Sequence, residues 1–171
     1  TGVKPGDRIS VQVEKSPEAL CLYLACLKGG FVFHPLNMAY TPAELEYFLG
    51  NAEPALLVCD PANETTLRKV AAGAGDPAIQ TLGADGGGSL TDAAAGASDE
   101  FDTVQRGPDH LAALLYSSGT TGVPKGIMLT HRNLLSNTES LVEAWRFTAD
   151  DRLLHALPIF HVHGLFVAIG C

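Results

Sequence analysis

Apolar and polar positions fall into two alternating rhythms along the chain. Residues 8–13, Arg-Ile-Ser-Val-Gln-Val, alternate with period two and predict a short strand. Ser16-Pro17-Glu18 then supplies a helix cap, a proline suited to the first helical turn and an early acid. The helix over 18–28 is apolar around almost its whole circumference, which predicts burial on all sides, and Gly29-Gly30 stops it. A second strand is expected over 31–36. Thr41 and Glu44 have the spacing of a capping box for a helix ending near Gly50-Asn51. The unbroken apolar run 55–59 reads as a buried parallel strand. A helix over about 63–72 and a strand over 78–82 follow. Strand and helix alternating through short connections predict an α/β fold on a parallel sheet.

The rhythm lapses over 83–98, where Gly86-Gly87-Gly88 and a run of alanines leave only a short helix near 90–95. It resumes with an apolar strand over 110–116, a short strand over 126–129 and a helix over 131–145. Thr130 caps that helix, and Leu134, Leu135, Leu141 and Val142 stand at helical spacing. One more strand is expected over 153–157, and then a final apolar run.

Composition narrows the function. The 171 residues are 46% apolar and 18% charged, a globular balance with room for a core. The net charge of −8 argues against nucleic acid or an anionic membrane as the main partner. Cys21, Cys26, Cys59 and Cys171 show neither a C-x-x-C pair nor a disulfide spacing. Reduced thiols and a cytoplasmic location are the expectation. No apolar run is long enough to span a bilayer. The chain opens on Thr1 and stops at Cys171 within an apolar stretch, which reads as a piece of a longer protein.

The candidate chemistry sits in Tyr-Ser-Ser-Gly-Thr-Thr-Gly-Val-Pro-Lys-Gly, residues 116–126. Glycines let backbone N–H groups approach an anion. Ser117, Ser118, Thr120 and Thr121 add hydroxyls, and Lys125 adds one charge. The loop follows a buried strand, where α/β sheets place ligands. It is not a Walker A loop. Counted from Gly119, the second required glycine falls on Pro124, and Lys125 precedes Gly126 rather than Ser or Thr. The dinucleotide pattern G-x-G-x-x-G also fails. Composition alone slightly favours an ordinary Gly/Ser/Thr surface loop.

The order S-S-G-T-T-G-x-P-K-G closely resembles the phosphate loop of the adenylate-forming superfamily, which includes acyl-CoA synthetases, luciferase and peptide-synthetase adenylation domains. Residues 157–165, Leu-Pro-Ile-Phe-His-Val-His-Gly-Leu, resemble that superfamily's LPxFHxxGL segment. Within it, the stretches PLNMAYTPAELEYF, AEPALLVCDP, GSLTDAAAGAS and HALPIFHVHGLFVA look most like malonyl-CoA synthetases. The likeness runs over nearly the whole chain.

The resemblance implies stacked parallel-sheet α/β subdomains of a large N-terminal domain, here incomplete. Residues 1–108 would be an α/β subdomain portion, and 109–171 the phosphate loop with the start of an acyl-pocket segment. It implies an ATP-dependent acid–CoA ligase that makes malonyl-CoA from malonate, ATP and CoA through a malonyl-adenylate. Ser117, Ser118, Gly119, Thr120, Thr121, Gly122 and Lys125 would hold ATP phosphates. His161 would border the acyl pocket and gate the acyl and thiol channel. By itself His161 reads more often as a structural histidine, and the pair His161 and His163 is a weak metal site lacking a third ligand. No metal ligand is assigned; the Mg²⁺ site, the adenine contacts, a malonate-recognising Arg and a catalytic Lys are expected outside these residues. The isolated stretch is accordingly expected not to turn over. The alternatives are a ligase for methylmalonate or another short or medium-chain acid, a non-catalytic nucleotide-binding module, and a structural domain that keeps only the fold. Oligomeric state is not legible.

Overall fold

The computed structural model describes residues 2–117 and 123–171. Its six strands are β1 (Arg8–Gln12), β2 (Val32–Pro35), β3 (Leu56–Cys59), β4 (Ala78–Thr81), β5 (Leu111–Ser117) and β6 (Lys125–Thr130). They form one sheet in the order β4-β3-β1-β2-β5-β6. All neighbours are parallel except β5 and β6, which are antiparallel. The helices are α1 (Pro17–Gly29), α2 (Pro42–Ala52), α3 (Glu64–Ala72), α4 (Ser89–Ala95) and α5 (His131–Trp145).

Helix boundaries follow the sequence signals closely. Ser16 accepts from Ala19 N–H at the start of α1, and Gly30 ends it in the left-handed region at φ 73°. The reciprocal box between Thr41 and Glu44 starts α2. Thr130 and Asn133 form an equivalent box for α5.

The sheet is covered on both faces, and β3 shows how. Leu56 and Val58 point to the core beneath α1, while Leu57 and Cys59 point to the core beneath α2 and α3. Four consecutive apolar residues are therefore all buried. On β1, Ile9 and Val11 join the α1 side. Burial raises the Cys26 thiol to about 12 and the Cys59 thiol to about 11, so both behave as small hydrophobes.

Two expectations differ from the structure. Helix α1 buries only one stripe, including Ala19, Tyr23 and Cys26, whereas Leu24 is 51% exposed. A helix lying on a sheet hides the face toward that sheet, and no described element covers the face opposite. Residues 153–157 form no strand. They find no ladder among the described residues; instead the carbonyls of His155 and Leu157 accept from the Lys15 ammonium at 2.9 and 3.2 Å. The final apolar run is a π-helical segment, His163–Ile169, whose Leu165 and Phe166 enter the α1-side core. No described helix is long and apolar enough to cross a membrane.

Candidate functional site

The phosphate-loop candidate is the connection between β5 and β6. The two strands pair from Leu111↔Thr130 to Ser117↔Lys125, so Ser117 and Lys125 face each other at the mouth. Ser118, Gly119, Thr120, Thr121 and Gly122 lie outside the described residues. Because β5 is parallel to β2, and β2 to β1, this mouth stands at the carboxyl end of the parallel strands. The connection leaving β1 runs to one face of the sheet and those leaving β2 and β3 run to the other. The topological switch, where open α/β sheets take ligands, therefore lies beside β1, and β2 separates it from β5.

An aromatic cluster braces the mouth. Tyr47 Oη donates to the Pro124 carbonyl at 2.9 Å, immediately before Lys125. The Tyr116 ring lies 4.7 Å from Phe48 and 5.4 Å from His34, centroid to centroid. Tyr116 Oη donates to Asn51 Oδ1 at 2.5 Å. Burial, and secondarily Tyr47, push the Tyr116 hydroxyl up to about 12, so it remains a donor at neutral pH. The strand residue that launches the loop is thus held from α2. Lys125 is exposed, and its ammonium is available to an anion outside the fold.

Beneath the cluster lies His34, fully buried, with Ser10 Oγ 2.8 Å from its Nδ1. Its Nε2 has no partner among the described groups. Burial lowers its pKa to about 4, so the ring is neutral in the folded protein.

The histidine segment reaches the same end of the sheet by another route. Lys15, just beyond β1, grips the carbonyls of 155 and 157, and Ile159 packs into the α1-side core. His161 is exposed, with its ring 4.6 Å from Phe160. It sits in a turn rather than a strand, and His163 starts the π-helical segment. The two therefore do not share a strand face. Among the described residues no three His, Cys, Asp or Glu side chains come together to hold a metal ion.

Gly164 closes this turn. A Cβ there would run into the Pro158 carbonyl oxygen and stand 3.2 Å from Leu157 Cβ. The Gly164 carbonyl also pairs with His155 Nε2 at 2.9 Å. Gly164→Ala is expected to destabilise the full-length protein by about 2–3 kcal/mol, since rigid backbone must yield. Urea unfolding at neutral pH measures this; an unchanged midpoint would show that the turn adapts.

The AMP-binding enzyme family model matches residues 1–171. The chain belongs to the AMP-binding enzyme family. Its sequence is 34% identical to a malonate–CoA ligase of Arabidopsis thaliana, over 98% of this chain and 28% of that ligase. The fold superposes on ATP-bound MatB from Rhodopseudomonas palustris with a TM-score of 0.93 and 59% identity, over 98% of this chain and 33% of MatB. A long-chain-fatty-acid–CoA ligase from Archaeoglobus fulgidus gives 0.89 at 28% identity, over 98% of this chain and 33% of that ligase. The chain thus spans about a third of the length of these relatives. The six-stranded, mostly parallel sheet is that of the family's N-terminal domain.

Sequence reasoning missed Tyr47, Asn51 and Lys15. Tyr47-Phe48 is visible on a predicted helix. Nothing local connects it to residues 116 and 124, because those contacts arise only once α2 packs on the sheet.

Proposed function

We propose that this chain supplies the phosphate grip of an ATP-dependent acid–CoA ligase whose acid is malonate. The observation that carries the reading is Ser117 opposite Lys125 at the mouth of a β-hairpin, at the carboxyl edge of the sheet. The likeness to ATP-bound MatB supports ATP as the nucleotide, and the likeness to a malonate–CoA ligase supports the acid.

In the proposed chemistry, one malonate carboxylate attacks the α-phosphorus of ATP, and the bond to the β-phosphate oxygen breaks. Malonyl-adenylate forms and pyrophosphate leaves. Lys125, with Ser117, Ser118, Thr120 and Thr121 as hydroxyl donors and Gly119 and Gly122 as backbone donors, holds the β- and γ-phosphates while charge builds on the leaving group. The CoA thiol then attacks the acyl carbon and AMP departs. His161 borders the acyl and thiol route, within a segment anchored by Lys15. Magnesium would offset phosphate charge, and the described residues offer no ligand cluster for it. The free thiols of Cys21, Cys26, Cys59 and Cys171 fit a reducing compartment such as the cytoplasm.

Pyrophosphate exchange into ATP by the full-length protein, with malonate, methylmalonate, acetate and octanoate in parallel, tests the reading. Malonate is expected to drive the fastest exchange. Fastest exchange with another acid would reassign the substrate, and no exchange with any acid would leave a nucleotide-binding module.

A further inference from the structure

A second cluster of donors lies at the opposite end of the sheet, and the phosphate chemistry above does not use it. Residues 103–106 precede β5, Lys28 ends α1, and His131 begins α5 directly after the antiparallel β6. All three places are at the amino end of the parallel strands. Six residue steps of β5 separate this end from Ser117, about 20 Å at roughly 3.3 Å per residue. Here a cleft of about 380 Å³ is lined by Lys28, Thr103, Gln105, Arg106 and His131, and by three apolar residues, Leu24 among them.

Among the described residues the polar part of the lining is three nitrogen bases, a hydroxyl and an amide, with no carboxylate. Among the described residues neither Lys28 nor Arg106 has an acidic partner; nearby, Asp109 pairs with Arg132 at 3.0 Å. The Lys28 ammonium instead stands 5.8 Å over the Phe101 ring. Arg106 Nε and His131 Nε2 are both buried without a hydrogen-bond partner among the described residues. Two unmet buried nitrogens beside one cleft mark an incomplete polar site. In a chain of net charge −8, basic groups gathered without an acid form a local positive field that favours an anion.

The groups are built in rather than loose. Val104 N–H donates to the Lys28 carbonyl at 2.9 Å, fixing the 103–106 segment to the end of α1. Arg106 lies so close to Gly30 that a Cβ there would stand 3.0 Å from Arg106 Cδ. His131 N–H donates to the His110 carbonyl at 3.0 Å, and Arg132 N–H to the Pro108 carbonyl at 2.8 Å, tying the start of α5 to the same segment. Burial first, then the charges of Arg106 and His110, lower the His131 pKa, the response expected of an imidazole beside cations with no anion between them.

We propose that this cleft binds the phosphate group of a small molecule, at a site separate from the phosphate loop. The cleft has room for one phosphate and part of its carrier. Arg106 and Lys28 would supply positive charge, and His131 would donate once protonated.

The test is histidine NMR on the full-length protein with ¹³C-labelled imidazoles, His131 being assigned with His131→Gln. Inorganic phosphate, ribose 5-phosphate and ribose are added in separate arms, with chloride at matched ionic strength as control. The Lys125→Ala background removes the charge of the other phosphate site. Both phosphates are expected to shift the His131 signal and raise its pKa, whereas ribose and chloride do neither. Tighter binding of ribose 5-phosphate than of phosphate would show that the carrier is also held; equal binding would assign the site to free phosphate. Arg106→Gln is expected to weaken the response about tenfold, the loss of one charge-assisted bond. Lys28→Ala, on the exposed end of α1, gives a second variant should Arg106→Gln fail to fold. A His131 signal unmoved by millimolar phosphate, moved equally by chloride, or unaffected by both substitutions would overturn the proposal.

Discussion

Lys125→Ala in the full-length protein is expected to slow acid adenylation by about 10²-fold, the usual loss when one donor to a developing oxyanion is removed. The residue is exposed at the start of β6, opposite Ser117, and no described acid pairs with it. Its removal should therefore cost the fold little. The defect should appear in the first half-reaction alone. Thioester formation from chemically supplied malonyl-adenylate is expected to keep its rate, because pyrophosphate has already gone. Single-turnover measurements of the two halves separate these outcomes. An unchanged adenylation rate would remove the role given to Lys125.

The second large effect is on stability in acid, and it comes from His34. Its ordinary pKa of about 6.5 falls to about 4 in the fold, through burial. Between those values the unfolded chain takes up a proton that the folded one does not. The stabilisation is complete above pH 6.5, is lost as pH falls through the window, and levels off below pH 4. The shift corresponds to about 3 kcal/mol across the window. Denaturant unfolding of the full-length protein from pH 7 to 4.5 measures the slope. In His34→Gln, which can still bond Ser10 but carries no titrating ring, the slope should flatten. An equal slope in the variant would assign the acid sensitivity to other groups.

The sequence revealed most of the fold because its signals were local. Ser16, Thr41 and Thr130 each announce a helix by a side-chain oxygen at a fixed offset, and all three make the bonds their spacing implies. The run 55–59 announced a doubly covered strand, and four of its adjacent apolar residues form β3. Local signals failed where the outcome depended on a distant partner. Residues 153–157 have strand chemistry, but Lys15 takes two of their carbonyls and no described strand joins them. The stripe of α1 that carries Leu24 looked as buried as the stripe that carries Tyr23, because periodicity cannot say which faces have a neighbour.

The position of the candidate site was legible in the motif, and its support was not. Ser117 and Lys125 stand where a loop after a buried strand should present them. The bond from Tyr47 to the Pro124 carbonyl spans 77 residues of chain, and that between Tyr116 and Asn51 spans 65. No spacing rule reaches so far. The basic cleft was missed for the same reason: Lys28, Arg106 and His131 are scattered in sequence and meet only at the amino end of the sheet.

The central claim is that Lys125 grips the two phosphates that leave. Calorimetric binding of ATP and of AMP to the full-length protein, with Lys125 and with Lys125→Ala, tests it most directly. The expected result is that ATP binding weakens by about tenfold or more, the loss of a charge-assisted contact, while AMP binding is unchanged. Equal weakening of both nucleotides, or of neither, would contradict the account.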